Sequence, residues 1–220
     1  LKIKENITKA QEGMQNVSPI KIVAVTKTHT FSAIASAVQN SIIDIGENKV
    51  QETEKKLQNQ KPPLNAKLHF IGHLQKNKAK KAVQLYDYIQ TVDSISLAKK
   101  INKISKEENK IQKIFLQINI GNKKNRHGFF TAEIESAALT ISSFYNTKIK
   151  GIMIIPPLTE SKKEYIRYFK KAKKIKDSLQ KKIKTCTNLS MGMSNDYVEA
   201  IKEGATHIRL GTALFGERQK

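Results

Sequence analysis

The sequence predicts an α/β fold, a single (β/α)8 TIM barrel with an extra N-terminal helix. Three observations predict it. Short β-branched runs alternate with segments of helical period along the 220 residues, and eight such runs are found. Each of the first seven runs is followed by a helical segment, the pattern of a parallel sheet. No linker, internal repeat or low-complexity stretch divides the chain, so residues 1–220 read as one domain. Eight β–α units in a chain of this length suit a closed barrel better than an open doubly wound sheet.

The elements follow in order. Ile3, Ile7, Ala10 and Met14 share a helical face, and Ser18-Pro19 ends that helix. Ile20 to Thr28 is the first strand, and Phe31, Ile34 and Val38 mark a helix capped at Thr30 or Ser32. Ser41–Asn48 is the second strand, and a helix from Val50 to Gln60 stops before Pro62-Pro63. Lys67–His73, Tyr88–Val92 and Lys113–Ile120 are the next three strands, with helices over Asn77–Tyr86 and Ser94–Ser105 between them. A polar loop, Gly121–Gly128, leads to a helix capped by Thr131 and running to Tyr145. Ile149–Ile155 is the sixth strand, and Tyr165–Ile183 a long helix. Leu189–Met193 is the seventh strand, and Asn195 or Asp196 caps a short helix ended by Gly204. His207–Phe215 is the eighth. No helix follows it, so the N-terminal helix either takes that place or plugs the barrel bottom.

In such barrels the chemistry sits at the C-terminal ends of the strands. The first strand ends on Lys27, on the same side as Val23 and Val25. An ammonium at the end of an apolar face is partly desolvated, which lowers its pKa and frees the amine for Schiff-base chemistry. Taken alone, the stretch fits a lysine emerging into solvent better; the barrel places it at the functional rim. The second strand ends on Glu47 and Asn48, and the third on His73 and Gln75. Ser194 lies where the seventh strand meets a helix N-terminus, either as an ordinary cap or as part of an anion site. Gly211 and Thr212 end the adjacent strand, and together with Ser194 they mark a phosphate position. Arg209 shares a side with His207 and Gly211 and points inward, where a guanidinium needs a core carboxylate or a ligand acceptor. A lysine imine, a phosphate site and an inward arginine together describe a pyridoxal 5′-phosphate pocket. No His/Cys cluster shows metal-ligand spacing along the chain.

Composition bounds the rest. The formal charge of +21 raises nucleic acid or anionic membrane as partners, but the lysines are spread along the whole chain. With few arginines, no tryptophan and no aromatic-rich basic patch, a solvated lysine surface is preferred to a nucleic-acid groove. A lone cysteine, Cys186, excludes an internal disulfide and reads as a small buried side chain. No apolar run approaches a membrane span and no signal-peptide core opens the chain, so the cytoplasm is the expected location.

Five ordered blocks carry a resemblance: Val23–Thr28, Ile45–Glu52, His69–Lys78, Leu189–Asp196 and Ile208–Gly216. Together they are similar to the pyridoxal phosphate homeostasis protein family, the single-domain relative of the alanine racemase N-terminal barrel, over Ile20 to Arg218. The resemblance implies Lys27 as the Schiff-base lysine and Arg209 near the ring nitrogen. It also implies a phosphate held around Ser194, Gly211 and Thr212, with Asn48 near the cofactor. Lys49 and Arg126 depart from the family's usual Tyr and Lys. The implied role is to hold pyridoxal phosphate as a lysine aldimine, contributing to vitamin B6 and amino/keto-acid balance, with cofactor-free enzymes as possible recipients and a monomer as the expected state. The alternative is a racemase-like enzyme. Racemisation needs a proton donor on each face of the carbanion, and the tyrosines, Tyr165 among them, read as core or surface residues.

Overall fold

The computed structural model describes residues 2–14 and 19–216, and Ser18, the expected end of the first helix, lies outside them. Eight parallel strands close into a barrel: β1 (Lys21–Val25), β2 (Asp44–Glu47), β3 (Lys67–Phe70), β4 (Tyr88–Val92), β5 (Gln112–Asn119), β7 (Thr147–Ile154), β8 (Asn188–Ser190) and β9 (His207–Leu210). β1 pairs with both β2 and β9, and β4 with β5, which leaves no open edge among these eight. A two-residue strand, β6 (Phe129–Phe130), is unexpected; it adds to the end of β5 through Ile118 and Asn119.

The helices form an outer ring: α1 (Lys2–Gln11), α2 (Phe31–Gln39), α3 (Val50–Leu57), α4 (Ala79–Leu85), α5 (Ile95–Glu107), α6 (Ile134–Ser142), α7 (Lys162–Lys182), α8 (Tyr197–Lys202) and α9 (Thr212–Phe215). Their apolar faces bury Ile34, Val83, Ile101, Ile141, Phe169 and Ile201 against outward-facing strand residues such as Ala24, Ile45, Ile114 and Ile208. Of the two places open to the N-terminal helix, α1 takes the one in the ring: it lies beside α8, where Asn6 donates to Tyr197 Oη at 2.8 Å. Its outer neighbours are α2 and α9, across a hollow lined by Ile3, Ala37 and Phe215.

Several element ends fall inside the expected ranges, β2 starting at Asp44, α3 ending at Leu57, β3 at Phe70 and β8 at Ser190, and four further boundaries depart for a local reason. α1 stops before Met14, because Gly13 adopts φ +75° and turns the chain out of the helix. α6 starts at Ile134 instead of Thr131, whose N–H donates to Asn122 Oδ1 while its hydroxyl accepts from Asn122 Nδ2, so it cannot cap. α7 starts at Lys162, capped by Ser161 Oγ accepting from Glu164 N–H, a Ser-x-x-Glu signal upstream of Tyr165. The last strand ends at Leu210, and residues 212–215 turn into α9, so a short helix does follow it.

Candidate functional site

The C-terminal ends of the strands surround a cavity of about 510 Å³, and Lys27, Asn48, Ser194, Arg209, Gly211 and Thr212 all line it. The fold thus brings the six residues singled out in the sequence to one place. Each is positioned by a distinct local device.

Lys27 is half-buried, two residues beyond the end of β1 and on the side of Val25. The next residue, Thr28, has φ +68°, an uncommon conformation for a β-branched side chain. Its N–H donates to the Glu52 carboxylate at 2.5 Å, and the His29 N–H donates to the Thr26 carbonyl at 3.0 Å. Those bonds hold the sharp turn that leaves Lys27 at the cavity. Beneath it, Thr26 Oγ1 donates to Glu47 Oε1 at 2.6 Å. Lys56 from α3 donates to the same carboxylate oxygen at 2.5 Å and to the Thr26 carbonyl at 2.9 Å. The Lys56 side chain is only 5 % exposed and that of Glu47 0 %, so the end of β1 rests on a buried ion pair. Sequence reading places Glu47 at this rim but misses Lys56, whose helical spacing gives it no distinguishing mark.

Asn48 is fixed from the opposite side. A Cβ on Gly72 would lie 2.0 Å from the Asn48 carbonyl oxygen, so only glycine lets the two strand ends approach this closely. Asn48 Oδ1 is buried and accepts no hydrogen bond from the described residues. A buried acceptor left unpaired in a cavity wall is open to a polar ligand or a water. Lys49, one of the two departures from the family pattern, is exposed at the N-cap of α3. Arg126, the other, donates to the carbonyls of Ile155 and Pro156 and ties the loop after β5 to the end of β7.

Arg209 points into the barrel and is buried. Nη1 donates to Ser190 Oγ and Nη2 to the Ile154 carbonyl, both at 2.8 Å, so among the described residues the anticipated core carboxylate is not its hydrogen-bond partner. Burial lowers its pKa to about 10, with Asp196 opposing, so it remains a cation near neutrality. Ser190 Oγ in turn donates to Gln90 Oε1, Gln90 Nε2 to His69 Nδ1, and His69 Nε2 to Asp44 Oδ1. The result is a chain of donors across the barrel interior, from the guanidinium on β9 through β8, β4 and β3 to a carboxylate on β2. Each group uses one donor and one acceptor in a consistent direction, which fixes His69 as the neutral Nε2–H tautomer. Burial holds the His69 pKa below its ordinary value, against the pull of Asp44.

At the anion end, Ser194 Oγ accepts from the Ala213 N–H at 3.2 Å and joins the loop after β8 to the first turn of α9. Asp196 does not cap α8 forward; its Oδ1 accepts from the Met193 N–H and closes that loop. Gly192, at φ +91° and with Ala200 Cβ 2.7 Å from where a Cβ would stand, allows the tight crossing before Ser194. The geometry offers a lysine amine, a buried guanidinium and hydroxyl and main-chain groups at two adjoining strand ends, a set suited to an anionic aromatic aldehyde.

Sequence reading places His73 at this rim but misses two other wall residues, Tyr165 and His127. Tyr165, expected with the core or surface tyrosines, lines the cavity. It sits in the first turn of α7, where its hydroxyl accepts from the Thr159 N–H at 3.4 Å. His73 and His127 also line it. Cys186 is buried, and burial pushes its thiol up to about 12, as a structural side chain requires.

Residues 2–219 match the family model described as the alanine racemase N-terminal domain. The pyridoxal phosphate homeostasis protein of Synechocystis is 38 % identical over 200 residues, covering 90 % of this chain and 92 % of the relative. That of Aquifex aeolicus is 34 % identical, covering 90 % and 87 %. Among solved structures, PipY of Synechococcus elongatus with PLP bound has a TM-score of 0.81 at 33 % identity, covering 97 % of this chain and all of that one (100 %). Alanine racemase of Clostridium difficile has a TM-score of 0.74 at 16 % identity, with 57 % of that chain covered, a likeness of fold alone.

Proposed function

The chain belongs to the pyridoxal phosphate homeostasis protein family, and from this we propose that it binds pyridoxal 5′-phosphate in the barrel-mouth cavity through a Schiff base on Lys27. The observation that carries the reading is the convergence of Lys27, Arg209 and the Ser194–Gly211–Thr212 corner on one cavity. Ser194, Gly211 and Thr212 would hold the phosphate, Asn48 would complete its buried acceptor on a cofactor hydroxyl, and Arg209 would face the ring nitrogen. A pyridine nitrogen beside a guanidinium stays unprotonated, and the bound ring is then a weak electron sink. Lys27 therefore captures and releases the cofactor reversibly with little chemistry beyond that. The chain, as one barrel domain, would serve cofactor and amino/keto-acid balance and hand pyridoxal phosphate to cofactor-free enzymes.

Borohydride reduction in the presence of pyridoxal phosphate, followed by peptide mass spectrometry, tests the site. The expected result is one dominant adduct, on Lys27, lost in Lys27→Ala. Adducts scattered over surface lysines to the same extent in both proteins would rule the site out.

One observation favours a second reading, a racemase-like enzyme: the Tyr165 phenol shares the cavity with Lys27. Under it, exchange of the L-alanine Cα proton with solvent deuterium stands above the free-cofactor rate and is lost in Tyr165→Phe. Under the first reading, wild type and variant exchange alike.

A further inference from the structure

We propose that His73, Asp93 and His127 form a binding site for a divalent transition cation of the zinc class at the rim of the barrel. The three residues come from the loops that follow β3, β4 and β5, far apart in the chain, and the barrel closure brings them together. Both imidazoles converge on one carboxylate oxygen: His73 Nδ1 is 3.4 Å and His127 Nδ1 3.7 Å from Asp93 Oδ2. The rings stack with centroids 3.6 Å apart and planes inclined by 13°. The three donor atoms all lie within 4.8 Å of one another. Around a tetrahedral ion with bonds of about 2.0–2.2 Å, ligand atoms stand about 3.3–3.6 Å apart. The two measured separations match an ion's ligand edges, and the stacked imidazoles must swing apart about their side-chain torsions to aim both lone pairs at one ion.

The donor set decides the ion. Two imidazoles and one carboxylate suit zinc and its first-row neighbours, whereas magnesium and calcium take oxygen ligands. Three protein ligands leave a position for water or an exchangeable ligand. Both histidines line the cavity, so that position is reached from it. The His73 and His127 side chains are 44 % and 58 % exposed, which gives the ion direct access from solvent. None of these arguments depends on the cofactor.

The test titrates Zn²⁺ alone into the chelator-treated full chain in competition with a chromophoric chelator. Wild type is expected to take up about one equivalent. His127→Ala and, separately, Asp93→Asn are expected to weaken binding at least tenfold, since each removes a ligand. His29→Ala, which removes another partly exposed imidazole, leaves it unchanged. Circular dichroism of each variant establishes that the barrel is intact, and the two ligand variants back each other. No uptake by wild type, or equal uptake by wild type and a folded ligand variant, overturns the site.

Discussion

The barrel contains two pairs of histidines in opposite settings, and the contrast separates what holds this protein together from what it presents to ligands. His69 and His207 lie in the interior, fully enclosed, with His69 stacked on Tyr88 at 4.4 Å and His207 edge-on to Phe115 at 5.4 Å. Burial drives the His207 pKa down to about 3 and holds that of His69 low as well. These imidazoles are neutral structural parts, committed to hydrogen bonds with Thr206, Gln90 and Asp44. His73 and His127 sit at the rim, stacked on one another and sharing Asp93, in contact with solvent. His69 and His73 are one strand end apart, so the difference lies in depth within the barrel and owes nothing to residue type. An imidazole in the interior is priced by desolvation, and one at the rim by the ligands it can reach.

The contrast can be broken most severely at the buried ion pair under Lys27. Lys56→Met leaves the enclosed Glu47 carboxylate without its cation and is expected to cost about 3–5 kcal/mol of unfolding free energy in urea titrations. Lys56→Met with Glu47→Gln should recover most of that; if the double variant is no more stable than the single, the ion pair is not the cause. Next comes the donor chain. Gln90→Leu strands Ser190 and His69 in the interior and is expected to cost about 3 kcal/mol, with each orphaned group contributing about 1–3. A loss below about 1 kcal/mol would show that the chain relaxes by recruiting water.

The third prediction concerns acid. Because the folded-state pKa of His207 lies below its unfolded value, the unfolded chain binds the extra proton, and stability is complete only above about pH 6.5. It falls as pH drops from there toward 3, at up to about 1.4 kcal/mol per pH unit for this one group. His69 acts in the same direction, and Asp44 adds to it at lower pH: burial pushes its carboxyl up, but the hydrogen bond from His69 and the charge of Lys21 outweigh it and hold the carboxyl low. His207→Phe should flatten the acid limb of the stability curve; an unchanged slope would remove His207 from the account. The smallest effect belongs to the rim. His73→Ala and His127→Ala should each alter stability by no more than about 0.5 kcal/mol, since exposed polar contacts contribute little.

Much of the molecule was legible beforehand. The alternation of β-branched runs with amphipathic segments has two distinct periods, and both are written locally, so the barrel, its strand order and the rim position of Lys27 follow from the chain alone. Glycine was informative for the same reason: Gly204 ends α8 at φ +90° because few other residues tolerate that conformation. The errors lie where a local signal met a tertiary competitor. Thr131 reads as a cap until Asn122 takes its hydrogen bonds, and the apolar run after Arg209 reads as strand until the backbone turns at Gly211.

By itself the sequence determined the barrel and the six residues at its mouth, because strand period and chain order dictate which positions reach the C-terminal rim. Only the tertiary structure decided what those residues touch. The Lys56–Glu47 pair, the donor chain from Arg209 to Asp44, and the meeting of His73, Asp93 and His127 join segments distant in sequence. Such contacts depend on which strands close the barrel against one another and on how deep each side chain sits, and neither quantity has a period that a linear pattern can carry.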